Sequence, residues 1–575
     1  MGSPTRRVCF IYVAAALIMG ACAPRQAANS PAPAGPDSAP TAGAYKRVTA
    51  AIRAAPASLV LLKTQRGGAL RGLDAIEQLT HAGLTHIVRD GSRAAQLAEA
   101  VPSIENGLWR VFPDGRMETT WKIKAAARWQ DGTPLTTDDL VFSSMIEQDK
   151  QLEIQSFAEY GMIESINTPD SQTISVVWKR PYIDADGLFS YGSAGMPLPK
   201  HILESAYLQD KASFTALPYW TDEFVGAGAF AVHDWVPDSH TALRAFDGYI
   251  FGRPKIDEIE VRFIPDNNAL LANILAGTDL TLGKTISLDM ALGAQDQWKD
   301  GRVEVQRQNW TPINPQFINP DPPIISDVRF RRALILALDR QELADFVFSG
   351  QGTIAHSYVS PDTAGYASIE PEIVKYGYDP RQAGQILAEL GYTKRPDGFL
   401  YDRAGAKLAL DIRVPLQNDI HAKTAAPVAN FWQALGIAVE QTPVPIQRAL
   451  DKEYRTTYPS FEIVERGNSL LVGEIWRFHG SQVPLPENGF RATGYGGRYQ
   501  NPELDAALER YVTTIPMNDR MRALAAVVHH QTENLSQLPL FHGSDPTLIS
   551  NRLVNVTARG DSFTQAWNVQ EWDIR

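Results

Sequence analysis

The sequence predicts a multidomain protein that mixes strands with capped helices, and three observations carry this. The chain has 575 residues, too many for one hydrophobic core and suited to about two to four domains. Trp121–Phe142, WKIKAAARWQDGTPLTTDDLVF, packs a strand, a turn and a helix start into one short span. Alternating runs such as Thr173–Trp178 and Ile259–Phe263 recur between helical patterns such as Asn267–Leu275.

In the junction itself, Trp121 and Ile123 alternate as in a half-buried strand, and Asp131-Gly132 supplies turn chemistry. Thr136 and Asp139 form an Asp variant of the capping box, with Leu135 and Leu140 as a hydrophobic staple. Asp138 and Asp139 also suit the positive end of the helix dipole. By physics alone the stretch is a scaffold element.

Composition is that of a soluble globular chain, 44% hydrophobic and 21% charged. The net charge of −11 falls to −13 once Arg6 and Arg7 leave with residues 1–21, which disfavours nucleic acid or an anionic bilayer as main partner. The two cysteines, Cys9 and Cys22, lie near the N-terminus, so the rest of the chain has neither a disulfide framework nor a cysteine metal site. Arg6-Arg7, the apolar stretch Val8–Met19 and small Gly20-Ala21 read as a secretory signal peptide, residues 1–21, too short to remain as a membrane-spanning helix. Leu17-Ile18-Met19-Gly20-Ala21-Cys22 resembles a bacterial lipobox, which implies cleavage before Cys22 and acylation of its thiol. The alternative is an ordinary secreted protein cut near Ala21. Residues 22–44, rich in Ala, Pro, Ser and Gly, read as a disordered tether.

Further along, Leu79–Gly91, Leu97–Ser103 and Gly107–Gly115 read as short strands broken by turns. Val225-Gly226-Ala227-Gly228-Ala229-Phe230 is only half of a G-x-G-x-x-G pattern, with Ala231 at the last glycine position and no helix following, so it is not a nucleotide loop. Phe330, Ala333, Leu334, Ala337 and Leu338 have helical spacing, which places Arg329, Arg331 and Arg332 on the solvated side of that helix. Asp339 caps a further helix with Glu342 opposite it. Asp379-Pro380 and Asn501-Pro502 mark two more helix starts.

Trp129-Gln130-Asp131-Gly132-Thr133-Pro134-Leu135-Thr136 through Asp139 resembles the signature segment of the family 5 extracellular solute-binding proteins, the oligopeptide, dipeptide and nickel receptors of ABC importers. Leu198-Pro199-Lys200-His201 resembles the family's proline-lysine-histidine helix entry. The Gly226 strand entry, the Asp327 helix, and the Asp379-Pro380 and Asn501-Pro502 helix starts follow in the family's order, covering Leu79 to Leu540. The resemblance implies an α/β periplasmic-binding-protein type II fold, two lobes with a hinge plus a small inserted domain. The expected division is first lobe at 45–85, 211–312 and 536–575, small domain at 86–210 and second lobe at 313–535. It further implies a monomeric receptor, not an enzyme, in the periplasm or at the cell surface, delivering a peptide or other small solute to permease subunits whose ATPase is separate.

No G-x-S-x-G elbow, P-loop, H-E-x-x-H or EF-hand loop occurs in the sequence, and no cofactor is expected. His529, His530 and Glu533 would put one His and the Glu on a helical face, without a third metal ligand in sight. Among twelve tryptophans, Trp310 and Trp476 fall where the resemblance places an interdomain cleft; such rings hold peptides by burial and sugars by stacking. The family's peptide receptors present a W-x-x-D-x-x-D-P-like segment whose aspartate pairs with the ligand ammonium. Here Phe461–Glu474 contains no aspartate. Glu465 or Glu474 could serve in its place, whereas Arg466 or Arg477 would favour a ligand carboxylate. The residues expected at the ligand are Trp310, Asn314, Arg466, Asn468, Trp476 and Arg477, with a short peptide held by its carboxylate end first and an oligosaccharide second. A lipid-anchored cleft enzyme such as a glycosidase, using two carboxylates, is the competing class, and an adhesin or chaperone-like protein a third.

Overall fold

Val48, Ala50, Ala51 and Ile52 are fully buried along the strand Arg47–Ile52, which lies in the middle of the first of two large sheets. In this computed structural model the described residues are 44–53, 55–60, 62, 72–152, 154, 158–191, 195–283, 285–307, 309–416, 418–448, 451–490, 494, 497–558 and 564–575. The expected signal peptide, Cys22 and the tether up to residue 43 lie outside them.

The first sheet runs Gly301–Gln306, Asp545–Ser550, Leu280–Thr281, Arg47–Ile52, Glu258–Phe263, His240–Ala245, Phe230–Val236. Arg47–Ile52 pairs in parallel with both neighbours, and the remaining pairs are antiparallel. The second sheet runs Thr353–Ile354, Leu538–His542, Asn309–Pro315, Phe461–Ile463, Ala409–Pro415, Ala438–Val444, with Arg466–Gly467 also on Asn309–Pro315. Its parallel pair Ala409–Pro415 and Ala438–Val444 is joined by the helix Asp419–Leu435. Asn418 caps that helix through the Ile420 N–H, and Gly436 ends it at φ 100°, a left-handed position glycine takes at little cost. A third, antiparallel sheet, Trp109–Val111, Met117–Lys122, Thr173–Trp178, Ile163–Asn167, lies within residues 86–210, the stretch expected to form the small domain.

Helix starts follow the local signals. Asp327, Asp339, Asp379 and Asn501 accept backbone N–H bonds from Arg329, Glu342, Gln382 and Glu503 at 2.8, 3.0, 2.9 and 2.8 Å. In the signature segment, Asp139 reaches back to the Thr136 N–H at 2.9 Å and also accepts from Trp129 Nε1 at 3.3 Å and the Lys200 N–H at 2.9 Å. Burial raises its carboxyl pKa. Ser143 Oγ accepts from the Leu198 N–H at 2.7 Å, so this helix start also places the helix entry at Lys200. Gln130 donates to the carbonyls of Thr80, Gly228 and Phe230 at 3.0, 3.2 and 2.8 Å and accepts from the Gly226 N–H at 2.9 Å. The segment therefore docks the small domain on the glycine-rich entry of the first sheet.

Three local expectations change. Leu79 and Thr80 end a helix, Leu73–Thr80, whose buried Leu73, Ile76 and Leu79 share a helical stripe; they are not part of a strand. Leu97–Ser103 forms no strand; the short strands are Thr85–Ile87, Arg93–Ala95 and Trp109–Val111. Arg331 is not solvated: it is 3% exposed, stacked on Phe317 at 4.9 Å, and donates to the carbonyls of Ile325, Asn534 and Leu535 at 2.6, 2.7 and 3.1 Å. It is buried because the C-terminal end of the helix Met517–Asn534 abuts it and offers unbonded carbonyls.

Candidate ligand-binding cleft

The sheets are joined where Gly301–Gln306 runs on to Asn309–Pro315 and where Leu538–His542 returns to Asp545–Ser550. Both strands at 309–315 and 538–542 belong wholly to the second sheet, so the changeover lies a few residues outside the expected interval 313–535. The two crossings touch: the Gly543 N–H donates to the Asn309 carbonyl at 2.6 Å, and Asn309 Nδ2 donates to Glu465 Oε1 and Asp545 Oδ2, each at 3.2 Å. Glu465 Oε2 accepts from Asn418 Nδ2 at 2.8 Å. Glu465 thus ties the crossing at Asn309 to the cap of the helix Asp419–Leu435.

Short crossings let two large sheets meet along a groove, and a cavity of about 700 Å³ opens there. That volume is in the range of small-molecule sites. Arg89 and Asp90 of the small domain, Arg307 and Ser544 of the crossings, and Thr353 and Asp362 of the second lobe line it. Arg307 Nη1 donates to both oxygens of Asp362, at 3.0 and 2.7 Å. The lining carries both charge signs beside Val305, Gly352 and Ala364, and none of the six residues expected at the ligand is part of it.

Of the six residues expected at the ligand, Trp310, Arg466 and Asn468 are brought together at one margin of the second sheet, where Trp310 pairs with Arg466. The Trp310 ring meets Tyr358 edge to face at 5.7 Å, and Tyr358 donates through its hydroxyl to the Ser469 carbonyl. Trp310 is 3% exposed and Asn468 8%, and neither Trp310 Nε1 nor Asn468 Nδ2 has an acceptor among the described residues. Asn314 is placed elsewhere. It is fully enclosed in the second lobe, donating to the Glu462 carbonyl at 3.4 Å and accepting from Gln537 at 2.6 Å, and it braces the sheet. Trp476 stacks on His479 at 4.1 Å, and Arg477 pairs with Glu474 at 3.0 Å. A half-buried arginine with a carboxylate beside it is a poorer anion receptor than its sequence position suggests.

Sequence reasoning missed a second group. Asp184 Oδ2 accepts from the Val472 N–H at 2.7 Å, across from the small domain to the second lobe. Next to it the Ile183 N–H donates to the Val512 carbonyl at 3.2 Å, and Arg93 pairs with Asp186 at 3.1 Å. Burial pushes the Asp184 carboxyl up to about 7 against the pull of Arg93, and burial also raises Asp186. Nothing in Asp184-Ala185-Asp186-Gly187 itself points to this contact, because Val472 lies 288 residues away. The apolar core shows the same continuity: Val472, Phe478, Leu508, Tyr511 and Val512 join the cluster that contains Trp178, Tyr182 and Phe189.

His529 contacts the Glu372 carbonyl at 3.0 Å, His530 the Tyr499 hydroxyl at 3.1 Å, and Glu533 pairs with Arg332. Among the described residues no three His, Cys, Asp or Glu are placed to hold a metal, and no helix is long and apolar enough to cross a membrane.

Two mixed sheets with a smaller third sheet, joined by paired crossings, define a bilobal protein of the α/β type II class. The chain belongs to the bacterial extracellular solute-binding proteins, family 5, whose middle region matches residues 99–466. Oligopeptide-binding protein AppA of Bacillus subtilis is 25% identical over 419 residues, covering 71% of this chain and 72% of that protein. A probable ABC transporter-binding protein of Deinococcus radiodurans is 25% identical over 354 residues, 56% of this chain and 58% of its own length. The structure of Bacillus subtilis AppA with a nonapeptide superposes with a TM-score of 0.68 at 19% identity, covering 92% of this chain and 99% of that one. NikA from Brucella suis with Fe(III)-EDTA gives 0.74 at 16% identity, covering 92% and 100%. At such identities the solved structures establish the fold.

Proposed function

We propose that this protein is the capture subunit of an ABC importer, enclosing a short peptide or similar small solute between its lobes and delivering it to permease subunits that work with a separate ATPase. The observation that carries this is the match to solute-binding family 5 over residues 99–466 on a chain whose two large sheets are joined by paired crossings, the arrangement in which hinge closure buries a solute. The peptide, held mainly by its carboxylate end, is supported by names of the relatives and by the missing aspartate in Phe461–Glu474. Mass spectrometry of solute co-purified with the protein tests the reading: an unmodified peptide or other small acid is expected. A solute chemically altered on incubation would instead indicate a cleft enzyme.

The candidate carboxylate partners are Arg466 and Arg477, and Arg477 also pairs with Glu474 at 3.0 Å. Calorimetry with the identified solute is expected to show Arg466→Gln losing about 2–5 kcal/mol of binding, because a ligand charge is left unpaired. A sugar ligand would reverse the pattern, with the large losses in Trp476→Ala and Trp310→Ala.

The anchor belongs to the same proposal. Acylation of Cys22 would hold the folded region near the membrane through the tether at 22–44. Cys22→Ser is expected to move the protein from the membrane fraction to the soluble one, and an unchanged distribution would refute lipidation there.

A further inference from the structure

We propose that the cavity at the crossings is a subsite for an acidic side chain of the captured peptide, with Arg89, Arg307 and Thr353 as its partners. The inference rests on the capture reading above and names a group of the solute which that reading leaves open. The cavity, about 700 Å³, has room for a carboxylate side chain together with water.

Around it the acceptors are engaged and the donors are not. Asp362 receives Arg307 Nη1 at both oxygens, at 3.0 and 2.7 Å, and Asp90 Oδ1 receives the N–H and the hydroxyl of Ser92 at 2.9 and 2.6 Å. Arg307 uses only Nη1 for its pair, which leaves Nε and Nη2 to other acceptors. Arg89 is exposed, and neither its guanidinium nor the Thr353 hydroxyl has a partner among the described residues. A ligand ammonium would find one carboxylate paired with Arg307 and the other bonded to Ser92. A carboxylate meets donors that are unused, in the charge-assisted bonds that guanidinium groups form best.

A row of side chains leads from this cavity across one face of the second sheet. Thr353 pairs with His542, His542 with Trp310, and Trp310 with Arg466; residues directly opposite each other project to the same side. His542 is 1% exposed, lies within reach of the charges of Arg307 and Asp362, and has no partner at Nδ1 among the described residues. Trp310 Nε1 next to it has none either. Buried polar groups are nearly always satisfied in folded proteins, so this strip suits the acceptors of a bound peptide. The row also sets a length. Strands stand about 4.8 Å apart, so the three steps from Arg466 to Thr353 span roughly 14 Å, and an extended peptide rises about 3.3 Å per residue. A peptide whose terminal carboxylate meets Arg466 therefore reaches the cavity about four residues from that end.

The test is calorimetry on the full chain, stripped of bound solute, with two probe peptides, Ala-Glu-Ala-Ala-Ala and Ala-Gln-Ala-Ala-Ala, which differ only in the charge of one side chain. The parent is expected to bind the glutamate peptide on the order of tenfold tighter, with the preference shrinking as salt is added because Arg89 is exposed. Arg89→Gln and Thr353→Val are expected to bring the ratio toward one. Arg307→Gln, which releases Asp362, is expected to turn the preference toward the glutamine peptide. Circular dichroism confirms the fold of each variant. Equal affinities in the parent, or a preference that survives in both Arg89→Gln and Arg307→Gln, would overturn the subsite while leaving the capture reading in place. Binding of neither peptide also overturns the subsite, and only together with the absence of any co-purified solute does it remove the capture reading as well.

Discussion

Gly228→Ala will destabilise the protein by on the order of 3 kcal/mol or more, the cost of forcing atoms into a packed core. A Cβ at residue 228 would stand 2.3 Å from the His81 nitrogen, 2.4 Å from the Thr80 carbonyl carbon and 2.8 Å from the Leu79 oxygen. All three are backbone atoms of a helix end and cannot rotate away. The Gly228 N–H also donates to the Thr80 carbonyl at 3.1 Å, so backing off would break that bond. Gly226→Ala meets the Thr80 oxygen at 2.1 Å and should behave alike. By contrast, Gly161→Ala has open space within 4 Å and serves as the control. Thermal and chemical denaturation of the three variants checks this; a Gly228→Ala protein as stable as the parent would mean that the helix and the strand entry are not in contact.

Arg331→Met will cost about 3–5 kcal/mol, because three carbonyls that receive a guanidinium are left buried and unbonded while the methionine restores only apolar contact. Burial lowers the Arg331 pKa to about 10, so it stays charged at neutral pH, and the carbonyls of Ile325, Asn534 and Leu535 compensate the charge with no carboxylate in direct contact. Arg331→Lys will recover only part of the loss, since an ammonium cannot span three acceptors set out for a planar fork. Arg329→Met, on the exposed side of the same helix and paired with Asp327, will change stability by less than about 1 kcal/mol. Urea denaturation distinguishes the cases. Equal effects of the two methionine variants would contradict the capping role.

What the sequence could disclose was what neighbours in the chain decide. Asp327, Asp339, Asp379 and Asn501 cap helices because the donors they meet are two or three residues ahead, and the run Trp129–Asp139 is legible for the same reason. Family membership was legible because such local features stand in a fixed order along the chain. The register of Trp310 against Arg466 and the enclosure of Asn314 were decided by which strands pair, a choice that alternation within one strand does not encode.

Arg331 looked solvated because a helical stripe says which side of a helix is apolar but not what abuts its flank. The end of a helix two hundred residues later turned that flank into the interior. The glycines at 226 and 228 were visible as half of a phosphate-loop pattern that Ala231 breaks, yet the need for them comes from Thr80 and His81. Asp184 is the extreme case. Its residue type is ordinary, and its chemistry is altered by enclosure among distant segments, against the pull of Arg93 and the Val472 N–H. Charge burial and lobe contact are sums over distant segments, so tertiary structure alone determines them, whereas caps, turns and targeting signals are settled within a few residues and can be read directly.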